Sequence, residues 1–173
     1  MLSRRRSVAL TTVQRLQEKL QIAQTNNDKK MENMVYGYLA RYYDKESMLD
    51  KAIWCFEQQV AIYSDYEGGW VKVPFDTTLM SFIIMNTDQV SQHRVFCQMA
   101  NVFMKREDYT AALPWLDQAM NIAKETGALD LLRVSSHNLA IVHRGLHHLD
   151  EALMYAQMLH DHSVNDVVSL LCT

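Results

Sequence analysis

The histidines of this chain come closest to a chemically active pattern. His143 and His147 are four residues apart, with three further histidines shortly after them. Two histidines at i and i+4 lie on one face of a helix and can bind zinc. Gly145 interrupts a helix between them, however, and no cysteine or carboxylate follows at ligand spacing. The pattern therefore favours a solvated turn between two helices, and we expect no bound metal and no cofactor.

The residue types used in nucleophilic catalysis lack their usual partners. The chain has no G-x-S-x-G turn, and Gly68-Gly69 stands alone rather than within a phosphate-binding loop. Cys55 and Cys97 fall on amphipathic segments, where a free cysteine behaves as a small hydrophobe. Carboxylates such as Glu57 and Asp117 fall on polar helix faces. We therefore expect no catalytic residues and no enzymatic activity.

The composition is that of a helical protein with a packed core. Apolar residues make up 49% of the 173 residues and charged residues 21%. Only 5 glycines and 2 prolines are present, too few for the many turns of a β-sandwich or β-barrel. Three cysteines without a CxxC pair favour a reducing compartment over a disulfide framework. The longest uncharged stretch, residues 77–87, is too short to span a membrane.

Charge is distributed unevenly along the chain. Residues 1–30 carry a net charge of +5 and the other 143 residues carry −8. An acidic body is a poor general surface for phosphates, so we expect no nucleic-acid partner. The basic N-terminus fits either a mitochondrial presequence or a first helix that covers one end of the fold. The regular spacing of Leu10, Val13, Leu16 and Leu20 favours the second interpretation, and with it a cytoplasmic location.

Three segments of the chain repeat one pattern at offsets of 60 and then 40 residues. Each has an alanine in mid-segment and a second alanine twelve residues later. The segments are Tyr36-x-x-Leu39-Ala40-x-x-Tyr43, Phe96-x-x-Met99-Ala100-x-x-Phe103 and Ser136-x-x-Leu139-Ala140-x-x-His143, followed by Ala52, Ala112 and Ala152. Two antiparallel helices approach closely only where side chains are small. The pattern therefore predicts helix hairpins that stack, because one hairpin alone cannot bury its apolar face.

These segments resemble tetratricopeptide repeats over residues 9–162. The period of about 40 residues is longer than the usual one and is similar to that of the Leu-Gly-Asn-type adaptor repeats. The resemblance implies an all-α fold, an α-α superhelix in which antiparallel helix hairpins form a right-handed solenoid. It also implies a concave surface, lined by the first helix of each hairpin, that holds a partner peptide.

We predict a single domain over residues 1–173. Its elements are a lone helix at 7–25, repeats at 30–64, 88–126 and 129–161, an insertion at 65–87 and a tail at 162–173. The insertion is either a structured loop with a short helix or a segment that gates the groove. The tail either folds back on the last hairpin or shows that the chain belongs to a longer array.

The resemblance assigns a peptide-binding groove to first-helix positions. The groove residues are Arg41, Arg94, Gln98, Asn101, His137, Asn138, Ile141 and Arg144. An asparagine amide can donate to and accept from a peptide backbone at once. The arginines suit a partner with carboxylates, unless they pair only with neighbouring acids of this chain.

The predicted function is that of a scaffold or adaptor that binds a partner peptide or subunit in this groove. The alternative is a structural segment of a larger assembly, or a truncated form of a longer repeat protein, with self-association through the open ends of the array. An enzyme or a metal protein finds little support in the residues.

Overall fold

The protein is all-α. A computed structural model describes the backbone of residues 2–64 and 78–171, and within these the side chains of residues 12–63 and 89–161. Seven helices and no strand occur in this described part of the chain. The helices are α1 (Leu2–Thr25), α2 (Lys29–Lys45), α3 (Leu49–Ser64), α4 (Thr78–Lys105), α5 (Tyr109–Thr126), α6 (Leu129–Gly145) and α7 (Leu149–Leu171).

The chain forms two compact units, Met1–Trp70 and Val71–Thr173. In the first, α2 packs against both α1 and α3; in the second, α4 to α7 pack in succession and α4 also contacts α6. The single array over residues 1–173 stays a prediction. Helix α4 begins at Thr78, inside the segment predicted as an insertion, and residues 65–77 lie outside the described part. The backbone of α7 continues without a break through residues 162–171 of the predicted tail.

Four of the connections between helices have the same backbone geometry. The second residue after each helix is left-handed, with φ of 53° at Asn27, 58° at Ser47, 60° at Glu107 and 61° at His147. In each case the next residue donates its backbone N–H to a carbonyl five positions earlier, as in the 2.8 Å bond from Met48 to Tyr43. This is the Schellman motif, which satisfies the free carbonyls at a helix end. Because each connection is only three residues long, the helices that it joins run antiparallel.

Two aspartates serve both sides of their turns. The backbone N–H of Asp108 donates to the Phe103 carbonyl at 3.0 Å and closes α4, while its carboxylate accepts from Ala111 N at 3.1 Å and caps α5. Asp28 does the same between α1 and α2. Capping by a carboxylate stabilises a helix start by about 1 kcal/mol.

Four of the six alanines predicted to lie between paired helices are fully buried, whereas Ala140 on α6 and Ala152 on α7 are half-buried. Ala40 on α2 and Ala52 on α3 are fully buried in the first unit, as are Ala100 on α4 and Ala112 on α5 in the second. Larger side chains close over these contacts and are themselves fully buried. They include Phe56, Met99, Leu116 and Leu139. Truncating one of these to alanine typically costs 2–5 kcal/mol.

We predict that Glu107→Gly stabilises the protein. A side chain at left-handed φ is strained by about 1–2 kcal/mol, and part of that gain is offset by the extra freedom of an unfolded glycine. We expect the free energy of unfolding, measured by urea denaturation, to rise by about 1 kcal/mol. Glu107→Ala is the control, since it removes the same carboxylate and keeps the Cβ. Equal stability of the two variants would contradict the prediction.

Candidate functional site

Seven of the eight predicted groove residues lie on α4 and α6 of the second unit. Arg94, Gln98 and Asn101 recur at i, i+4 and i+7 on α4, and His137, Ile141 and Arg144 recur in the same way on α6. Each series therefore forms one stripe along its helix. Arg94, Asn101, His137 and Arg144 are exposed, and Gln98 and Ile141 are half-buried.

The contacts between α4 and α6 place the two stripes on one side. The helices meet where His93 Nε2 lies 2.8 Å from Ser135 Oγ and where Asn138 hydrogen-bonds Cys97. On α4 the stripe residues Arg94 and Gln98 each come one position after a contact residue. On α6 the stripe residue His137 comes one position before the contact residue Asn138. Both helices are antiparallel to α5 and hence parallel to each other, so the two stripes turn toward the same side. We call this surface, with its six stripe residues, the α4–α6 face.

Asn138 lies at the edge of this face and is only 8% exposed. Its amide hydrogen-bonds the Cys97 thiol. In the second unit it therefore helps to hold α6 against α4, whereas Asn101 on α4 is open to solvent. In the 40-residue register Asn138 is the counterpart of Gln98 and Asn101 is the counterpart of Ile141, so the two asparagines differ in repeat position as well as in surroundings.

The buried His93 and Cys97 side chains beneath the face are poorly reactive at neutral pH. Burial lowers the pKa of His93, which is 3% exposed, while a hydrogen bond with the Leu131 backbone acts in the opposite direction. Burial raises the pKa of the Cys97 thiol to about 12, against a smaller opposite effect of the Asn138 hydrogen bond. At neutral pH the imidazole is therefore uncharged and the thiol protonated. A protonated, buried thiol is a poor nucleophile.

The helices that carry the face are positively charged in an acidic protein. Residues 89–105 of α4 contain Arg94 and Lys105 and no carboxylate, and α6 contains Arg133 and Arg144 against Asp130 alone. Asp130 pairs with Arg133 at 3.6 Å. Within the described side chains, neither Arg94 nor Arg144 forms an ion pair. The face therefore has a positive potential that suits carboxylates.

Arg41, the remaining predicted groove residue, lies in the first unit on α2. Its Nε donates to the Gly37 carbonyl at 3.1 Å, and its guanidinium lies 5.0 Å from the ring centroid of Tyr38. Tyr38 and Met34 are exposed beside it. Tyr38 is not among the predicted groove residues, although it occupies the repeat position of Gln98 and Asn138 and is identifiable from that register.

Gly37 lies against a buried amide of α3. A Cβ at this position would be 2.8 Å from Gln59 Nε2, which donates to the Asn33 carbonyl at 2.9 Å. The Gln59 Oε1 and Asn33 Oδ1 atoms are buried without a hydrogen-bond partner. Gly37 therefore provides room for this amide between α2 and α3.

The histidines near the end of α6 stack rather than converge on a metal. The His143 ring lies 5.4 Å from the Tyr155 ring, nearly parallel to it, and 5.7 Å from the His148 ring. Among the side chains of residues 12–63 and 89–161, no three histidine, cysteine, aspartate or glutamate groups come together as a metal site would need. None of the helices in the described part is long and apolar enough to cross a membrane.

Comparison with known families agrees with this architecture. The tetratricopeptide repeat family model matches residues 91–161, from the middle of α4 into α7. Residues 91–161 are therefore similar to tetratricopeptide repeats. The match covers 71 of the 173 residues and contains the whole α4–α6 face. No curated protein matches the chain at a significant level.

We predict that the second unit loses stability in mild acid because of His93. Its folded-state pKa lies below the ordinary value of 6.5, so the unfolded chain binds the proton more readily. The stabilising contribution is complete above pH 6.5 and is lost as the pH falls toward the folded pKa, with a slope of at most about 1.4 kcal/mol per pH unit.

The measurement is the free energy of unfolding from pH 7.5 to pH 5, compared between the natural chain and His93→Gln. The variant should show a shallower pH dependence. His137→Gln, which removes an exposed histidine of the neighbouring helix, is the control and should leave the slope unchanged. Identical slopes for all three proteins would contradict the prediction.

Proposed function

We propose that the chain is an adaptor that binds an extended, acidic segment of a partner protein on the α4–α6 face. Tetratricopeptide repeats as a family suggest a protein–protein interaction role. The observation that carries the proposal is the exposed pairing of an amide and a cation, Asn101 and Arg94, two turns apart on a helix stretch without carboxylates. The proposal assigns no catalytic step and no cofactor to the protein.

The chemistry of the face suits a peptide in extended form. The Asn101 amide can donate to a backbone carbonyl and accept from a backbone N–H of the same peptide. Arg94 and Arg144 can bind carboxylates bidentately. Ile141 and the exposed Val134 add apolar surface between the polar groups. Asn138 contributes by holding α6 in place, because its amide is engaged with Cys97.

The free thiols are compatible with a cytoplasmic location, which remains part of this proposal. Cys55 and Cys97 are both buried, and both are free thiols. Free thiols of this kind are usual in reducing compartments.

We predict that the double variant Arg94→Ala/Asn101→Ala binds acidic peptides at least tenfold more weakly. Each lost interaction is worth about 1–2 kcal/mol, and 1.4 kcal/mol corresponds to a tenfold change in Kd. The experiment screens an array of extended peptides for those that bind the natural chain, and then measures the Kd of the hits for each variant. Peptides rich in aspartate and glutamate should dominate the hits.

The matched control is Lys124→Ala/Asn121→Ala, which removes one cation and one amide from exposed positions of α5. It should retain the natural affinity. A face variant that binds the selected peptides as tightly as the natural chain does would overturn the proposed groove. Equal capture of a single-stranded oligonucleotide and an acidic peptide would overturn the choice of a protein partner.

A second candidate function, assembly of two copies, is favoured by the apolar stripe of α7. Leu149 and Leu153 are 66% and 69% exposed, and Ala156 and His160 on the same stripe are also exposed. Their counterparts 40 residues earlier are Tyr109, Leu113, Leu116 and Met120. Leu116 and Met120 are buried, and the Tyr109 ring packs on Gly145 of α6. In the second unit the stripe of α5 thus covers a following helix, whereas that of α7 is open.

The spacing of the α7 stripe suits a second copy of this chain. The intervals between its successive residues, from Leu149 to His160, are four, three and four. This order is the same whether the helix is read forwards or backwards. Two α7 helices packed antiparallel about a two-fold axis would therefore place Leu153 of each copy against Ala156 of the other. A large side chain against a small one allows close helix packing.

We predict that Leu153→Glu converts such a dimer into a monomer, because it places a charge at the centre of the contact. Sedimentation velocity over a wide concentration range provides the measurement. Met48→Glu changes an exposed apolar residue of the first unit and should leave the association state unchanged. If the natural chain sediments as a monomer at all concentrations, assembly through α7 is wrong.

A further inference from the structure

The first unit contains an open cleft between α1 and α3, with α2 as its floor. Its volume is about 530 Å³, within the range of sites that take small organic groups. The lining residues are Gln17 and Leu20 of α1, Leu39 and Tyr43 of α2, and Asp50, Lys51, Trp54 and Cys55 of α3. The cleft is separate from the α4–α6 face, since none of its residues belongs to that face.

The second unit repeats the same three-helix arrangement 100 residues later. Helices α2 and α6 begin at Lys29 and Leu129 and end at Lys45 and Gly145, and α3 and α7 begin at Leu49 and Leu149. The cleft residues Gln17, Tyr43 and Cys55 therefore correspond to Asp117, His143 and Tyr155. The two units can be compared position by position.

In the second unit an aromatic ring occupies the corresponding space. The Tyr155 ring stacks on His143 with centroids 5.4 Å apart and planes at 23°. Burial raises the pKa of Tyr155, and the charge of Asp117 on α5 raises it further. Tyr155 of α7 therefore stacks on the counterpart of Tyr43 and is influenced by the charge of the counterpart of Gln17; Tyr43 and Gln17 are two lining residues of the cleft in the first unit.

In the first unit the side chain at this position is too small to fill the space. Cys55 is fully buried and contributes only its thiol to the wall. Leu20 of α1 is half-buried, whereas its counterpart Met120 is 3% exposed. Replacing an aromatic ring by a thiol at a fixed backbone position leaves an open volume lined mostly by carbon. Tyr43, the counterpart of His143, borders this volume.

We propose that this cleft binds the ring of a tyrosine or tryptophan residue of a partner protein. The bound ring would stack on Tyr43 as Tyr155 stacks on His143, and it would contact Leu20 and Trp54, whose side chains are accessible in the cleft. Aromatic pairs with centroids 4.5–7 Å apart are favourable beyond the area that they bury. The occupant is an aromatic ring because the same position of the repeat holds one in the second unit.

The rim of the cleft suits an aromatic ring that carries a polar hydrogen. The Gln17 amide can accept from a phenol or an indole N–H, and Lys51 can donate to a phenol oxygen. Lys51 Nζ lies 5.5 Å from the centroid of the Tyr43 ring. This exposed, flexible side chain can move aside when a ring stacks there. An aliphatic side chain would use neither the stacking surface nor these polar groups.

The test uses short glycine–serine peptides whose central residue is tyrosine, tryptophan or leucine. Binding to the full chain is followed by NMR titration, which detects weak complexes and locates them. The tyrosine and tryptophan peptides should shift the signals of Leu20 and Leu39 in a saturable manner, and the leucine peptide should bind at least tenfold more weakly. Shifts at Leu139 and Met120, the filled counterparts, should be absent.

The decisive variant is Cys55→Tyr, which supplies the ring in cis. It should reduce the affinity for the tyrosine peptide at least tenfold, whereas Cys55→Ala, which keeps the space open, should retain it. Tyr43→Ala removes the stacking surface and should also weaken binding, so the proposal stays testable if Cys55→Tyr fails to fold. Equal binding of the tyrosine and leucine peptides, or saturable shifts outside the cleft only, would overturn the proposal. Loss of acidic-peptide binding at the α4–α6 face has no bearing on these outcomes, because the residues differ.

Discussion

The architecture depends on one backbone constraint: four of the connections between helices contain a left-handed residue whose successor bonds back to a carbonyl five positions earlier. This turn leaves only three residues between helices, so the next helix must run back along the previous one. The turns at Ser47, Glu107 and His147 follow each other at multiples of 20 residues, and Gly127 between the last two is left-handed as well. The regular interval keeps each alanine opposite the same kind of neighbour. It is also the reason why a residue in one unit has a definable counterpart in the other.

The pairing of helices could be predicted from the sequence because it depends on a local signal. Ala40, Ala52, Ala100 and Ala112 stand at fixed intervals within amphipathic segments, and helix geometry places them on the inner face. The start of α4 at Thr78 could not be predicted in this way, since the stretch from Leu79 is apolar all round and lacks the periodicity that marks a helix face. The non-glycine residues at left-handed turn positions also have no distinctive sequence signal.

The candidate site was predictable only as a set of positions. The register of the repeats places Asn101 and Asn138 on first helices, but it contains no information about the partners of a side chain. Asn138 turns to Cys97 because α4 has a small thiol there, and the contact of His93 with Ser135 fills the adjacent space. Such contacts arise between residues about 40 positions apart, so they appear only when both helices are in place. The same holds for the cleft beside Cys55, whose existence depends on the absence of a ring.

The double role of Asp28 and Asp108 has a consequence for how the protein opens. Each aspartate uses its backbone to finish one helix and its carboxylate to start the next. Fraying at the end of α4 therefore removes the bond that fixes Asp108, and the first turn of α5 loses its cap in the same event. Adjacent helices are in this way linked into one cooperative segment, so hydrogen exchange at the two sides of such a turn should reflect a shared opening rather than two independent ones.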